Sequence, residues 1–289
     1  MLGIMFLSSA WAVAPATALK VGDFNNIEAA QSKELVIWRY AKNPDIYIFD
    51  YPNLTQQGMA FNRVTQLTEQ VNVAYKHVLT KAEIEDYLIS IKRTRATLAY
   101  GNDVQISNLV LFFNLAENDN VELNIEEAKL LDFVLSQGLV KVWRKFYQAI
   151  KPNAVILSIP QVQENRADEP AVNALVRRTV LSHELSHGEF FSNEYYSKYC
   201  IQFWNNVLTD EQKEAFKQFL LKYNYSVSNG ELLVNETQAY LMFTPDPSSF
   251  SAEKLGVKVE ELKEMRTAFR KGMPGTSLPN NVINNEEGN

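Results

Sequence analysis

Residues 179–191 read TVLSHELSHGEFF and contain the pattern His-Glu-x-x-His from His183 to His187. In an α-helix, residues four apart lie one turn apart on the same face, so both imidazoles can reach one metal ion. Glu184 lies beside that face, where its carboxylate can take a proton from a metal-activated water. The stretch therefore predicts a helix that binds one zinc ion and carries a general base.

Histidine is scarce in this chain, and its scarcity gives the pattern weight. The 289 residues include three histidines, His77, His183 and His187. The probability that two of three histidines fall at this spacing by chance, with a glutamate directly after the first, is on the order of a few in a thousand. The alternative is a pair of core histidines, which would need several buried hydrogen-bond acceptors. We therefore favour the metal site.

An apolar stripe at helical spacing precedes the two histidines and comprises Val172, Leu175, Val176, Thr179 and Val180. His183 and His187 continue this stripe, so we expect both imidazoles to point inward. Arg177, Arg178 and Ser182 fall on other sides of the same helix. Pro170, after two acidic residues, is expected to begin the helix, which should continue to about Phe190.

A catalytic zinc site uses three protein ligands and keeps a fourth position open. Because no histidine follows His187, the third ligand must be a carboxylate or Cys200. Glu189 lies on another face of the helix, and Glu194 would lie two turns further along it. Glu236, in the later segment Asn235-Glu236-Thr237-Gln238-Ala239-Tyr240, is a further carboxylate.

The pair of motifs, H-E-x-x-H followed by N-E-x-x-A, resembles the gluzincin metallopeptidases, the group that includes thermolysin. The resemblance covers about residues 172–243 and implies that Glu236 is the third zinc ligand. It implies a zinc-dependent peptidase that hydrolyses peptide or protein substrates through a metal-activated water, with Glu184 as general base. Without a metal, Glu236 would be a solvated carboxylate at a helix start. The segments HELSHGEFF and NETQAYLM also resemble uncharacterised exported bacterial proteins.

One position departs from the thermolysin-like pattern. Those proteins place an aspartate four residues after the ligand glutamate, where it orients a ligand histidine, and this chain has Tyr240. Either Tyr240 or Asn235 takes that task, or another group does. Tyr240 is also a candidate catalytic residue, because a tyrosine hydroxyl can donate a hydrogen bond to the oxyanion of the reaction.

Other candidates for the site are less specific. The tyrosines near the two motifs are all possible oxyanion donors: Tyr195, Tyr196, Tyr199, Tyr225 and Tyr240. His77 lies in a polar segment and is expected at the surface. Asn62-Arg63 and Tyr100–Asp103 are polar groups in apolar contexts that could line a cleft. The run Ala154–Ile159 is either a sheet edge that binds an extended peptide or a buried core strand.

The composition limits the class of protein. With 46% hydrophobic residues, the chain can bury a sizeable core, and its single cysteine excludes an internal disulfide. A net charge of -6 argues against nucleic-acid partners. The apolar residues 1–18 resemble a signal peptide, so we expect an exported protein, periplasmic or secreted, with no stable membrane insertion after signal removal. Residues 19–273 are expected to form one zincin-like catalytic domain, or two lobes (34–190 and 191–273), before a disordered tail at 274–289.

The pattern along the chain indicates an α+β fold that is predominantly helical, with a small sheet toward the N-terminal side. Leu35–Tyr40 and Ile46–Asp50 predict a β-hairpin. Further helices are predicted at about 80–95, 124–138, 140–150, 209–223, 232–243 and 259–271, of which those at Thr80, Asn124 and Thr209 begin with capping-box sequences.

A second class of function remains open at this stage. The chain could be a catalytically inactive metal-binding scaffold or binding protein in the cell envelope. Glu184 favours the enzyme, because a purely structural zinc site has no use for that carboxylate. The absent aspartate at Tyr240 favours the scaffold. A hydrolase of non-peptide amides is a third possibility.

Overall fold

The computed structural model describes residues 18–69 and 77–279, so the predicted signal peptide lies almost entirely outside the described residues. The strands are β1 (Leu19–Gly22), β2 (Val36–Tyr40), β3 (Ile46–Tyr51), β4 (Asn102–Gln105), β5 (Val140–Trp143), β6 (Phe146–Ala149) and β7 (Val155–Pro160). The helices are α1 (Phe24–Ala29), α2 (Leu54–Glu69), α3 (Lys81–Ser90), α4 (Ile106–Asn118), α5 (Ile125–Ser136), α6 (Ala174–Ser192), α7 (Glu194–Asn206), α8 (Asp210–Lys222), α9 (Gly230–Phe243), α10 (Ala252–Leu255) and α11 (Val259–Gly272). The predicted α+β class is confirmed. Within the described ranges, no helix combines the length and the apolar character needed to cross a bilayer.

Five strands form a mixed sheet in the order β1-β2-β3-β7-β4. The predicted hairpin is confirmed as β2 and β3, which pair antiparallel. β7 pairs in parallel with β3 on one side and antiparallel with β4 on the other, and all six of its residues are buried. The interpretation of residues 154–159 as a substrate-binding edge is therefore wrong, and the alternative of a core strand is confirmed. The strand at that edge of the sheet is β4.

The sheet is covered on both faces, because alternate residues of its buried strands point to opposite sides. On β3, Ile46 and Ile48 pack in a core with α6–α11, whereas Tyr47 and Phe49 pack in a second core with α2, α4 and α5. The core therefore divides at the sheet and not at residue 190, where the two-lobe alternative placed the boundary. This arrangement seats α6 directly on the sheet.

Most helix starts follow their capping sequences. Thr80, Asn124 and Thr209 each form the predicted capping box, although the first of these helices ends at Ser90 and not near Arg95. The helix that carries the two histidines, α6, starts later than predicted, at Ala174 with Asn173 as its N-cap. Pro170 does not begin it, because the preceding residues form an extended bridge in which Gln163 and Val172 exchange backbone hydrogen bonds of 3.0 and 2.9 Å.

The predicted helix over residues 140–150 is wrong. This segment forms a two-stranded antiparallel hairpin, β5–β6, in which Val140 pairs with Ala149 and Trp143 with Phe146. Its residues are mainly β-branched or aromatic, and these favour strands. Arg144 begins the turn with φ of 59°.

The start of the predicted disordered tail is also corrected. Ser277 donates hydrogen bonds from its backbone N–H and its hydroxyl to the carboxylate of Glu189, and Tyr40 donates to the Ser277 carbonyl at 2.7 Å. Leu278 is buried beside them. These contacts hold Ser277 and Leu278 against α6 and β2, and residues 280–289 lie outside the described part of the chain.

Helix α6 is buried on nearly every side, contrary to the expectation that Arg177 and Ser182 face away from the core. Arg177 forms a bidentate ion pair with Asp50 on β3, with nitrogen–oxygen distances of 2.7 and 2.9 Å. Its guanidinium also donates to the carbonyls of Ile27, Glu28 and Pro160. The arginine thus joins α1, the sheet and α6, and all its partners are buried or partly buried acceptors.

Candidate metal centre

Helices α6 and α9 pack against each other and bring both histidines together with the carboxylate predicted as third ligand. His183 Nε2 lies 3.6 Å from Glu236 Oε2, and His187 Nε2 lies 3.7 Å from Glu236 Oε1. Tetrahedral zinc, with bonds of about 2.0–2.2 Å, holds its ligand atoms about 3.3–3.5 Å apart. These three side chains could therefore hold one zinc ion with only small adjustments.

The outer nitrogens of the two imidazoles indicate which tautomer each ring adopts. His183 Nδ1 lies 2.8 Å from Thr244 Oγ1, whose hydroxyl donates to the Ala239 carbonyl and must therefore accept from the ring. His187 Nδ1 lies 2.9 Å from Asn235 Oδ1, an atom that can only accept. Both rings thus carry their proton on Nδ1 and direct the Nε2 lone pair toward Glu236, as metal-binding histidines do.

The charge balance of the cluster also suits a cation. Burial lowers the pKa of His183 to about 4, which leaves the imidazole neutral. Burial is the main reason that the pKa of Glu236 is raised to about 7. The nearby Asp103 carboxylate contributes to this rise, whereas His187 and a hydrogen bond with Tyr225 oppose it. Glu236 Oε2 is buried and accepts no hydrogen bond from the described residues. Three acceptors therefore converge on one point, an arrangement that a cation would stabilise.

Glu184 lies beside this cluster and outside its set of three ligands. Its side chain is buried and packs on the backbone just before β4, where a Cβ atom at Gly101 would come within 2.6 Å of Glu184 Cγ and Cδ. Only glycine at position 101 lets the carboxylate take this place. The Glu184 carboxylate, an Asp103 oxygen and His187 lie within 4.8 Å of one another.

Asp103 is a site residue that the sequence indicated only in general terms, as a possible part of the cleft. Its Oδ1 lies 4.0 Å from His187 Nε2, because β4 runs along the edge of the sheet next to α6. With Glu184 and His187 it forms a second cluster that could hold a metal. The cluster that contains Glu236 unites both histidines and is the better match to a zinc site.

Two groups accept hydrogen bonds from the outer nitrogens of the two imidazoles, and Tyr240 is not one of them. Asn235, one of the alternatives raised from the sequence, accepts from His187, and Thr244 accepts from His183. Thr244 is not among the residues that the sequence analysis singled out. Its place has a sequence signal, because Pro245 disfavours the α conformation at residue 244, and α9 ends at Phe243 with Thr244 as its C-cap.

The structure separates the candidate tyrosines. Tyr240 and Tyr225 line the cleft, and the Tyr240 ring packs edge-on against His183 with centroids 4.8 Å apart. Burial raises the pKa of Tyr240, while a hydrogen bond with Tyr225 opposes the shift. Tyr195 is exposed, and the hydroxyls of Tyr196 and Tyr199 are engaged by Gln238 and the Phe269 carbonyl. A catalytic role for Tyr240 stays a prediction, and Tyr225 is the other tyrosine placed for one.

The other ligands that the sequence left open lie away from the histidine pair. Glu189 accepts from Asn43, Asn193 and Ser277 on the far side of α6. Glu194 is exposed and pairs with Lys198 at 2.6 Å. Cys200 is buried in the core, where burial raises the pKa of its thiol. His77 is half-exposed beside Glu83, in agreement with the expected surface position.

The cluster opens into a cleft of about 410 Å³, which is bounded on one side by residues 97–103 and on the other by Tyr223, Tyr225 and residues 244–249. Tyr100–Asp103 line it as expected. Asn62 and Arg63 do not, because Asn62 donates to the Arg95 carbonyl and Arg63 pairs with the buried Glu127. The cleft gives solvent and an extended ligand access to the space between Glu184 and Glu236.

Comparisons with protein-family models, curated proteins and solved structures return no match to this chain. The assignment to the gluzincins, made from the two motifs, therefore stays a prediction.

Proposed function

We propose that this protein is a zinc-dependent peptidase with a zincin-like centre formed by His183, His187 and Glu236. The observation that carries the proposal is the convergence of two Nε2 lone pairs and one buried carboxylate at tetrahedral spacing, with Glu184 beside them. A structural zinc site closes its fourth position with a protein ligand, whereas this cluster faces an open cleft. The resemblance of the two motifs to gluzincins supports the same reaction class.

The chain's own residues account for the proton transfers of hydrolysis. Zinc, when bound, would supply Lewis acidity toward water and the substrate carbonyl. Glu184 takes a proton from the attacking water and then delivers it to the leaving nitrogen. Thr244 and Asn235 hold the two imidazoles in the required orientation. The Tyr225 and Tyr240 hydroxyls are the candidates for stabilising the oxyanion.

The free edge of β4 is the proposed binding site for the substrate backbone. Among the described strands, β4 pairs with β7 alone, so its other edge is available. Asn102 is held rigidly there, because it accepts from Thr65 and donates to Ser158, both at 2.8 Å. An extended peptide that adds to this edge would pass Gly101 and Asp103, directly beside Glu184. This placement favours a peptide over a small amide.

Zinc content and peptide cleavage together test the proposal. We expect about one zinc per chain and cleavage of a diverse peptide mixture that a chelator stops and added zinc restores. Loss of a residue that only orients a metal ligand typically weakens metal binding by roughly 10–100-fold. Glu236→Ala should weaken zinc binding by more than this, because it removes a proposed ligand, and should lower the melting temperature. Elemental analysis, calorimetry and mass spectrometry of the peptides measure these effects.

Glu231→Ala, an exposed position in the first turn of the same helix, is the matched control and should change none of these values. Full zinc in Glu236→Ala would show that another carboxylate, such as Asp103, is the third ligand. Stoichiometric zinc without cleavage of any amide would favour the inactive scaffold.

Gly101 provides a separate prediction about how Glu184 is positioned. Gly101→Ala should lower the rate of cleavage by about tenfold or more, because the added Cβ displaces the Glu184 carboxylate from its geometry. Zinc content and melting temperature should change little, since the side chain that must move is flexible. Gly275→Ala, where an added Cβ contacts nothing, is the control. Unchanged cleavage by Gly101→Ala would contradict the position assigned to Glu184.

A further inference from the structure

The hairpin β5–β6 packs on the core with part of one face and leaves the other face uncovered. Strand alternation places Val140, Val142 and Tyr147 on the first face, where Val140 is buried, Val142 is exposed, and Tyr147 packs on Phe113 with ring centroids 6.0 Å apart. Trp143 and Phe146 form a cross-strand pair on the opposite face and are 59% and 38% exposed. Two large aromatic side chains thus project together from a hairpin whose base is fixed to the core.

Positive charge surrounds this aromatic pair. Residues 140–151 (VKVWRKFYQAIK) contain four basic residues and no acidic one, in a chain with a net charge of -6. Lys151 pairs with Asp45, whereas Lys141, Arg144 and Lys145 are exposed and have no ion-pair partner among the described residues. Arg144 and Lys145 lie over the rings of Trp143 and Phe146, at 5.9 and 5.1 Å from the centroids.

The turn at the tip also places cations outward. Arg144 adopts φ of 59°, in the left-handed region where glycine or asparagine is the usual residue of a two-residue hairpin turn. Here Arg144 and Lys145 form the turn itself, so both charged groups lie at the furthest point of the hairpin. The tip therefore combines an aromatic pair with two unpaired cations, Arg144 and Lys145, and the third, Lys141, lies further back on the same strand as Trp143.

We propose that the β5–β6 hairpin docks the folded protein on an anionic lipid bilayer. Tryptophan and phenylalanine partition to the boundary between headgroups and acyl chains, and nearby lysine and arginine bind acidic headgroups. The protein as a whole has a negative net charge, so an anionic bilayer repels most of its surface. The positively charged hairpin is the part that such a bilayer attracts, and this charge complementarity favours anionic lipid as its binding partner. This peripheral docking does not depend on the proposed peptidase activity.

Vesicle sedimentation with the full chain tests the charge component. The protein should bind vesicles that contain about 30% phosphatidylglycerol more tightly than vesicles of phosphatidylcholine alone, and salt should weaken the binding. Arg144→Glu combined with Lys145→Glu should reduce binding to the anionic vesicles by at least about tenfold. Lys222→Glu with Lys263→Glu makes the same charge change at two exposed positions elsewhere and should bind nearly as well as the parent.

Tryptophan fluorescence tests the aromatic component. Trp38 and Trp204 are already buried, and the fourth tryptophan, Trp11, lies in the predicted signal peptide, so the part of a blue shift on adding anionic vesicles that is lost in Trp143→Phe comes from Trp143. Trp143→Ser with Phe146→Ser should weaken vesicle binding without changing the melting temperature. Tyr195→Ser, which removes an aromatic side chain that is 80% exposed, is the control.

Three results would overturn the proposal. The first is absence of binding to anionic vesicles, and the second is equal binding by the parent and both hairpin variants, which would assign the affinity to another part of the chain. The third is a hairpin-dependent interaction with an oligonucleotide, or self-association, without any vesicle binding.

Discussion

Under the proposed function, Glu184→Gln should abolish peptide hydrolysis while leaving the zinc content and the melting temperature unchanged. Glutamine has the same shape as glutamate but cannot accept the proton of the attacking water, so we expect a loss of at least about a hundredfold in rate. Zinc binding should persist because Glu184 lies outside the group of His183, His187 and Glu236 that we propose as the ligands. Cleavage assays, elemental analysis and thermal unfolding measure the three quantities on one preparation.

Glu189→Gln is a matched control for this variant, since it makes the same substitution at a buried glutamate five residues further along the helix. Glu189 accepts hydrogen bonds from Asn43 and Ser277, and an amide nitrogen there would face donors. This control should lower stability and keep the rate per folded molecule. If Glu184→Gln cleaves as fast as the parent, Glu184 is not the general base, and Asp103 becomes the candidate.

Arg177→Met should lower the free energy of unfolding by about 3–5 kcal/mol, the usual cost of removing one partner from a buried ion pair. The substitution leaves Asp50 in the core without its counter-charge and removes the guanidinium donor from three backbone carbonyl groups. Burial already raises the pKa of Asp50, an effect that the arginine opposes, so the variant should bury a neutral carboxyl. Chemical denaturation measures the loss.

The neighbouring arginine is the control for this experiment. Arg178 pairs with Glu28 at 2.7 Å, but both side chains are partly exposed to solvent. Arg178→Met should therefore cost less than about 1 kcal/mol. Similar losses in the two variants would contradict the role given to the buried pair.

The parts of the fold and site that were predictable from the sequence depend on residues close together in the chain. The capping boxes at Thr80, Asn124 and Thr209 mark helix starts because each involves residues three positions apart. The spacing of His183 and His187 likewise follows from one helical turn. Glu236, 49 positions beyond His187, was reached through a family resemblance, and the structure places it beside both imidazoles.

The errors came from contacts between distant segments and, in one segment, from a misjudged local propensity. The helical pattern placed Arg177 on an outer face because that pattern is defined by apolar residues alone. The ion pair that buries this arginine is formed with Asp50, which lies 127 positions away in the sequence. Thr244 and Asp103 reach the histidines only through the packing of α9 and β4 on α6. In residues 140–150, the tendency of aromatic and β-branched residues to form strands prevailed over the helical interpretation.

The position of Ser277 on Glu189, 88 residues away in sequence, bears on the order in which the chain is made. A ribosome releases His183 and His187 well before Glu236, Thr244 and the segment that completes the back of α6. Incomplete chains can present the two histidines but lack the remaining groups, so under our proposal they would hold metal only weakly. Zinc retention would then report on complete folding, and a nascent chain would remain metal-free until its last helices have formed.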